Sequence, residues 1–242
     1  MSNKINLKKE TIYHSVGQVI SMLIGGITTI YLARILNQND YGLYKKFFFF
    51  CYLSSQILKI NFESGLFYFY HRYKQNSSLY VANAYIVLIS ISISVILFGL
   101  PSYTLIGQYF DFELQKFGIP LIFLISFNIL QSSFGKLFVI ENLAKWSMYY
   151  NIVFSSLRSL LIIIVLIKSP FVHFIFLAIL VLEITKSIFS ITYLKIRHKL
   201  NFNMFNKDIV LKMFNYNKWM VSSWGLGIIG QSIDKLILIT MI

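Results

Sequence analysis

The sequence predicts an all-α bundle of membrane-spanning helices, about seven in number. Three observations lead there: 57% of the 242 residues are hydrophobic and only 13% charged; the apolar residues fall in long uninterrupted runs; and most Lys and Arg lie between those runs. Soluble domains carry roughly 45–50% apolar and about 25% charged residues. Counting Gly in place of Tyr, as that reference does, lowers the present figure only to about 55%. Mean hydropathy is +0.67. A disordered chain needs the opposite balance, and a water-soluble globule of this size could not hide so much apolar surface.

Crossing the hydrocarbon core takes about 20 apolar residues in a helix. The runs are Ile12–Leu36, Leu43–Phe62, Leu79–Leu100, Gly118–Ile140, Tyr149–Ile167, Phe171–Leu194 and Trp219–Ile242. Barrel strands are shorter and alternate apolar with polar residues, unlike these. The first run reads as a retained span, because it is too long for a cleavable signal, lacks a small-residue cleavage site and is followed by further spans. The second is the least clean, with Lys45, Lys46 and Lys59 at its ends; the aromatic run Gly65–Tyr70 is a candidate extension. Terminators sit between runs: Asn37-Gln38-Asn39-Asp40, Gln75-Asn76-Ser77-Ser78, and Pro101 and Pro170 at predicted span ends. Trp146, Tyr149, Tyr150, Trp219, Tyr103 and Tyr109 lie near predicted ends, as an interfacial aromatic belt does.

The formal net charge of +13 would suggest nucleic acid in a soluble protein. Here its placement makes it a topology signal, and no nucleic-acid partner is expected. Fourteen of the 22 Lys and Arg fall on the side that holds the N-terminus, six of them (Lys195, Arg197, Lys199, Lys207, Lys212, Lys218) in the longest connection. The positive-inside rule makes that side cytoplasmic. Cys51 stands alone within Phe47–Leu53, so neither an intrachain disulfide nor a cysteine metal site is expected. His14, His71, His173 and His198 share no ligand spacing, and no metal or cofactor is predicted.

Polar and small residues recur at helical spacing inside the spans: Gln18, Ser21, Gly25 and Thr28; Asn128, Gln131 and Gly135; Asn151, Ser155, Arg158 and Ser159; Glu183, Lys186, Ser187 and Ser190; Ser223, Gly227, Gly230 and Asp234. The uncharged members read first as helix-packing residues, with Gly25 and Gly227 as points where a leucine would block close approach. The charged members read differently. An unpaired charge at bilayer depth costs at least ~2.5–3.5 kcal/mol and faces a bundle interior or wet cavity. Glu183 and Lys186, three apart, are placed to pair, and Arg158 falls near the middle of its span. No phosphate loop, triad or nucleophile elbow appears, and the outer segments are short, so an enzyme is not expected.

The stretch Gly17-Gln18 with Ala33-Arg34-Ile35-Leu36-Asn37-Gln38-Asn39-Asp40-Tyr41-Gly42-Leu43-Tyr44 resembles the opening of bacterial polysaccharide-export flippases, the O-antigen (Wzx-type) branch of the multidrug/oligosaccharidyl-lipid/polysaccharide exporter superfamily. Their first helix ends in Ala-Arg, a hydrophobic pair, a short polar turn and Tyr-Gly. Ser232-Ile233-Asp234-Lys235-Leu236-Ile237 is similar to the step where the second half of these proteins begins. The resemblance implies a multi-pass protein of the bacterial cytoplasmic (inner) membrane that moves undecaprenyl-diphosphate-linked oligosaccharide between leaflets by alternating access, alone or with other polysaccharide-assembly membrane proteins. It implies a six-helix lobe over residues 1–218 and the first helix of a second lobe over 219–242.

A diphosphate-sugar headgroup needs a polar path with cations. Arg158, Lys186, Lys235 and Arg34 are the candidate substrate-binding cations, Arg34 doubling as a candidate interfacial anchor. Glu183 and Asp234 are candidates for holding those cations or binding a coupling ion. The family has about twice as many helices as this chain, which reads as a fragment, a truncated frame or a half that dimerises, in that order. The competing readings are an inactive remnant or assembly subunit of the same pathway, and a membrane polymerase or acyltransferase.

Overall fold

The computed structural model describes residues 7–59, 62–109, 116–169, 171–218 and 227. Among them, helices follow one another as α1 (Leu7–Ile35), α2 (Gln38–Leu58), α3 (Phe62–Arg72), α4 (Ser77–Tyr109), α5 (Gly118–Gln131), α6 (Phe134–Ile140), α7 (Ala144–Lys168) and α8 (Val172–His198). Single 3-10 turns lie at Lys74–Asn76 and Phe202–Met204, and residues 207–218 are also helical. Among the described residues, five stretches are long and apolar enough to cross a membrane: Lys9–Ile35, Lys74–Tyr103, Gly118–Ile140, Ala144–Lys168 and Val172–His198. The second predicted span appears as α2 followed by the separate helix α3, and the seventh lies outside the described residues.

The expected terminators act through their side chains, with one correction. Asn37 caps α2, its Oδ1 accepting the Asp40 N–H at 2.7 Å, and Asp40 puts a carboxylate in the first turn, where the helix dipole favours it. Pro101, expected to end a span, lies inside α4. Proline is tolerated in apolar helices where nearby groups take up the disturbed carbonyls; Ser102 Oγ donates to the Phe98 carbonyl and, at 3.4 Å, to that of Gly99. Pro170 lies outside the described residues.

The chain gathers into two compact units, each discontinuous in sequence: residues up to Lys45 with Gln131–Ser190, and Lys46–Leu130 with the residues from Ile191 on. In the first, α1 and α7 lie side by side and parallel. Their seam runs upward through Glu10 Oε2, which accepts the Ala144 N–H at 2.7 Å, His14 Nδ1 and Ser147 Oγ at 3.3 Å, Ser155 Oγ donating to the Ser21 carbonyl at 3.2 Å, and Thr28 Oγ1 donating to Ser159 Oγ at 2.6 Å. The polar stripes of these spans therefore act as interhelical glue. The close-approach glycine of the seam is Gly17, where an added Cβ would lie 2.8 Å from Met148 Cα. Gly25, expected in that role, has no atom of the described residues within 4 Å of an added Cβ; the span around Gly227 lies outside the described residues.

The second unit packs α4 against α3, with Phe69 stacked on Tyr80 at 5.2 Å and Tyr68 on Tyr216 at 4.5 Å. Buried Cys51 accepts from Asn128 Nδ2 at 3.1 Å. Asn83, fully buried, ties the 199–206 connection to α4: its Nδ2 donates to the Met204 carbonyl at 3.0 Å and its Oδ1 accepts the Asn206 N–H at 2.7 Å. Asn83→Ala leaves both backbone groups without this partner, at about 1–3 kcal/mol each if they stay buried. The expected result is faster tryptic cleavage after Lys199 and Lys207 with global helicity retained; cleavage at the parental rate would contradict the tether.

Candidate functional site

Within the first unit, polar side chains from α5, α7 and α8 converge around a buried ion pair. On α8, Lys186 Nζ lies 2.8 Å from Glu183 Oε1, with 16% of the lysine side chain and 4% of the glutamate side chain exposed. The spacing of three puts both on one face of the helix. The second carboxylate oxygen, Oε2, is buried and has no hydrogen-bond partner among the described residues. Lys186 Nζ also stands over the Phe154 ring at 5.5 Å, an arrangement that the ring quadrupole favours.

Gln131 is the hub beside this pair. Its Nε2 donates to Ser187 Oγ at 2.9 Å, and its Oε1 accepts from Tyr150 OH at 2.9 Å and from Ser190 Oγ at 3.0 Å. Gln131 is also the last residue of α5, where the apolar stretch Gly118–Ile140 breaks at Ser132-Ser133 before α6 begins. Interrupted helices at membrane depth occur where the backbone is buried in protein or lines a cavity. Phe134, Phe154 and Phe189 wall the network, with Tyr150 between them at ring distances of 5.4, 4.7 and 6.1 Å. Such walls keep the local dielectric low, so charge interactions here are stronger than at a wet surface.

Of the residues singled out from sequence, the structure joins Glu183 to Lys186 and sets Ser187, Ser190 and Gln131 beside them. Arg158 is half-buried on α7, on the stripe that carries Tyr150 and Phe154 four residues apart. Arg34 is exposed in the last turn of α1, where the helix dipole favours a cation; no described contact links it to the pair. Asp234 and Lys235 lie outside the described residues. Tyr150 departs from expectation. Trp146 and Tyr149 are exposed as a belt requires, whereas Tyr150 turns inward to Gln131. The Ser132-Ser133 break also escaped the sequence reading, although two serines in mid-run were its visible trace.

What the arrangement can do chemically is limited and specific. It holds one ammonium and one carboxylate out of bulk water, neutral as a pair, with the carboxylate only half engaged. An anion presented to Lys186 competes with Glu183, and a proton or small cation presented to Oε2 competes with Lys186.

These features define a multi-pass helical membrane protein with a buried charged site in its bundle. The chain belongs to a family described as polysaccharide biosynthesis protein, which it matches over residues 7–242. No curated protein matches it. Among solved structures, it is similar to a multidrug resistance MATE family transporter of the MOP superfamily in an outward-facing conformation, with a TM-score of 0.65 and 17% sequence identity over 84% of this chain and 48% of that one. At that identity the likeness is one of fold, and the chain spans about half the length of that transporter.

Proposed function

We propose that the protein moves lipid-linked oligosaccharide units across the bacterial cytoplasmic membrane during polysaccharide assembly. In this reading residues 1–218 form one lobe, residues 219–242 begin a second, and the N-terminus is cytoplasmic. The observation that carries the proposal is the Glu183–Lys186 pair, buried with an unengaged Oε2, in a chain of the polysaccharide biosynthesis family. A diphosphate-linked sugar cannot cross hydrocarbon unaided, and a site able to exchange a carboxylate for a phosphate is what its passage requires. Lys186 and Arg158 are the substrate cations in the described bundle; Lys235 and Arg34 serve at the ends of the path. Glu183 neutralises Lys186 when no substrate is bound, and Asp234 does the same for Lys235 or holds a coupling ion.

The test is Arg158→Ala in the full-length protein, expressed in cells lacking their own exporter for the same glycan. The expected outcome is loss of surface polysaccharide and accumulation of the lipid-linked precursor, with the amount of membrane-inserted protein unchanged. Normal surface polysaccharide in that variant removes Arg158 from the path.

A further inference from the structure

The connection from Lys195 to Lys218 is the most basic segment of the chain, with six Lys and Arg against the single acid Asp208. Topology alone would explain the charge, but it does not explain the apolar residues placed beside it. In helical residues 207–218, Ile209, Met213 and Asn217, at i, i+4 and i+8, are buried. The stripe Lys207, Leu211, Phe214, Lys218, at i, i+4, i+7 and i+11, is exposed along its whole length. Phe202 and Phe205, just before the helix, are exposed as well.

This apolar exposure is held in place. Lys199 takes a left-handed backbone at φ 52°, which turns the chain as α8 ends, and the Leu200 N–H returns to the Leu194 carbonyl at 3.3 Å. Asn83 grips Met204 and Asn206, and Asn201 caps the 3-10 turn through the Asn203 N–H at 3.1 Å. One face of the segment is thus fixed to the bundle, and the other presents two phenylalanines and a Leu-Phe step flanked by lysines. A soluble surface would bury those rings or replace them. A bilayer interface suits them: the rings enter the headgroup–acyl boundary while the lysine stems reach outward to phosphate.

We infer that residues 199–218 form an amphipathic strap that lies in the membrane interface and binds anionic phospholipid headgroups. The acyl boundary takes Phe202, Phe205, Leu211 and Phe214, and the headgroup phosphates take Lys207, Lys212 and Lys218. Charge complementarity selects the partner, because the strap is strongly cationic and the cytoplasmic leaflet is anionic. The inference does not depend on transport, since it concerns a surface of the second unit and any membrane role would use it.

The experiment uses the whole chain with Cys51→Ser, single cysteines introduced as Leu211→Cys, Phe214→Cys and Asn215→Cys, and an environment-sensitive label. The proteins are reconstituted in vesicles of phosphatidylcholine alone or with about one-third phosphatidylglycerol. Spin-labelled lipid is expected to quench positions 211 and 214 several-fold more than 215, and more so in the anionic vesicles. Equal water exposure at all three positions overturns the proposal. So does shielding of 211 and 214 that appears only after a soluble cell fraction is added, which would make the partner a protein.

A second arm measures phosphatidylglycerol against phosphatidylcholine binding by native mass spectrometry of the solubilised chain. A lysine at an anionic surface contributes about fivefold to binding. Lys207→Gln with Lys218→Gln should therefore lower the phosphatidylglycerol preference about tenfold or more, while an unchanged elution profile reports retained fold. Unchanged preference overturns the assignment of the headgroup contacts.

Discussion

Lys186→Met, with Glu183 left in place, destabilises the protein by about 3–5 kcal/mol. The reason is what remains. Glu183 is buried, its Oε1 contacts Lys186 Nζ at 2.8 Å, and its Oε2 has no partner among the described residues. Removing the ammonium leaves a buried carboxylate with neither oxygen ion-paired, and an uncompensated buried charge is costly. The double variant Glu183→Gln with Lys186→Met recovers most of the loss, because replacing a buried pair together is often near neutral. Melting of the detergent-solubilised protein, followed by helicity, reads both. A single variant as stable as the double would mean that the pair is solvated and exerts little influence on the bundle. The double variant also separates stability from function: it should fold, yet it lacks the exchangeable cation on which the proposed transport depends.

The sequence revealed the parts of this fold that are written locally. Bilayer-length apolar runs made the helices legible, and the polar turn at Asn37-Gln38-Asn39-Asp40 marked the end of the first span; α2 begins inside that turn at Gln38, ahead of the apolar run at Leu43, because the Asn37 cap lets polar residues form its first turn. Glu183 and Lys186 were legible as a pair, being one turn apart on one helix. What the sequence left hidden depends on which helix meets which. Tyr150 reads as a belt residue until Gln131, from another helix, takes its hydroxyl. The stretch Gly118–Ile140 reads as one span because apolar content continues through Ser132-Ser133, and hydropathy carries no signal of a break in the hydrogen-bond ladder. Arg34 carries a charge that sequence alone could assign to the path or to the interface; only the structure sets it exposed in the last turn of α1. The stripes of small residues were the most instructive case. They correctly announced helix-to-helix contact, but the register of that contact, fixed across sequence separations of 131 to 134 residues, decided which glycine sits at the closest approach.

That register makes the second large effect a contrast between two glycines eight residues apart on α1. At Gly17 an added Cβ would meet Met148 Cα at 2.8 Å, so Gly17→Leu forces α1 away from α7. The cost is overpacking plus weakening of the seam bonds on either side, Glu10 to Ala144 and Ser155 to Ser21 among them, for a total of about 2–4 kcal/mol. Gly25 has no atom of the described residues within 4 Å of the same added carbon. Gly25→Leu should therefore change stability by no more than about 1 kcal/mol, since only helix propensity and lipid contact are altered. Gly17→Ala sharpens the contrast, because a single methyl already reaches the backbone. Shortening the opposing side chain with Met148→Ala should rescue little of the loss, since the nearest atom is Cα and remains. Full rescue by Met148→Ala, measured by the same detergent melts, would show that the α1–α7 seam is spaced by side chains and that its backbones do not approach as closely as Gly17 permits.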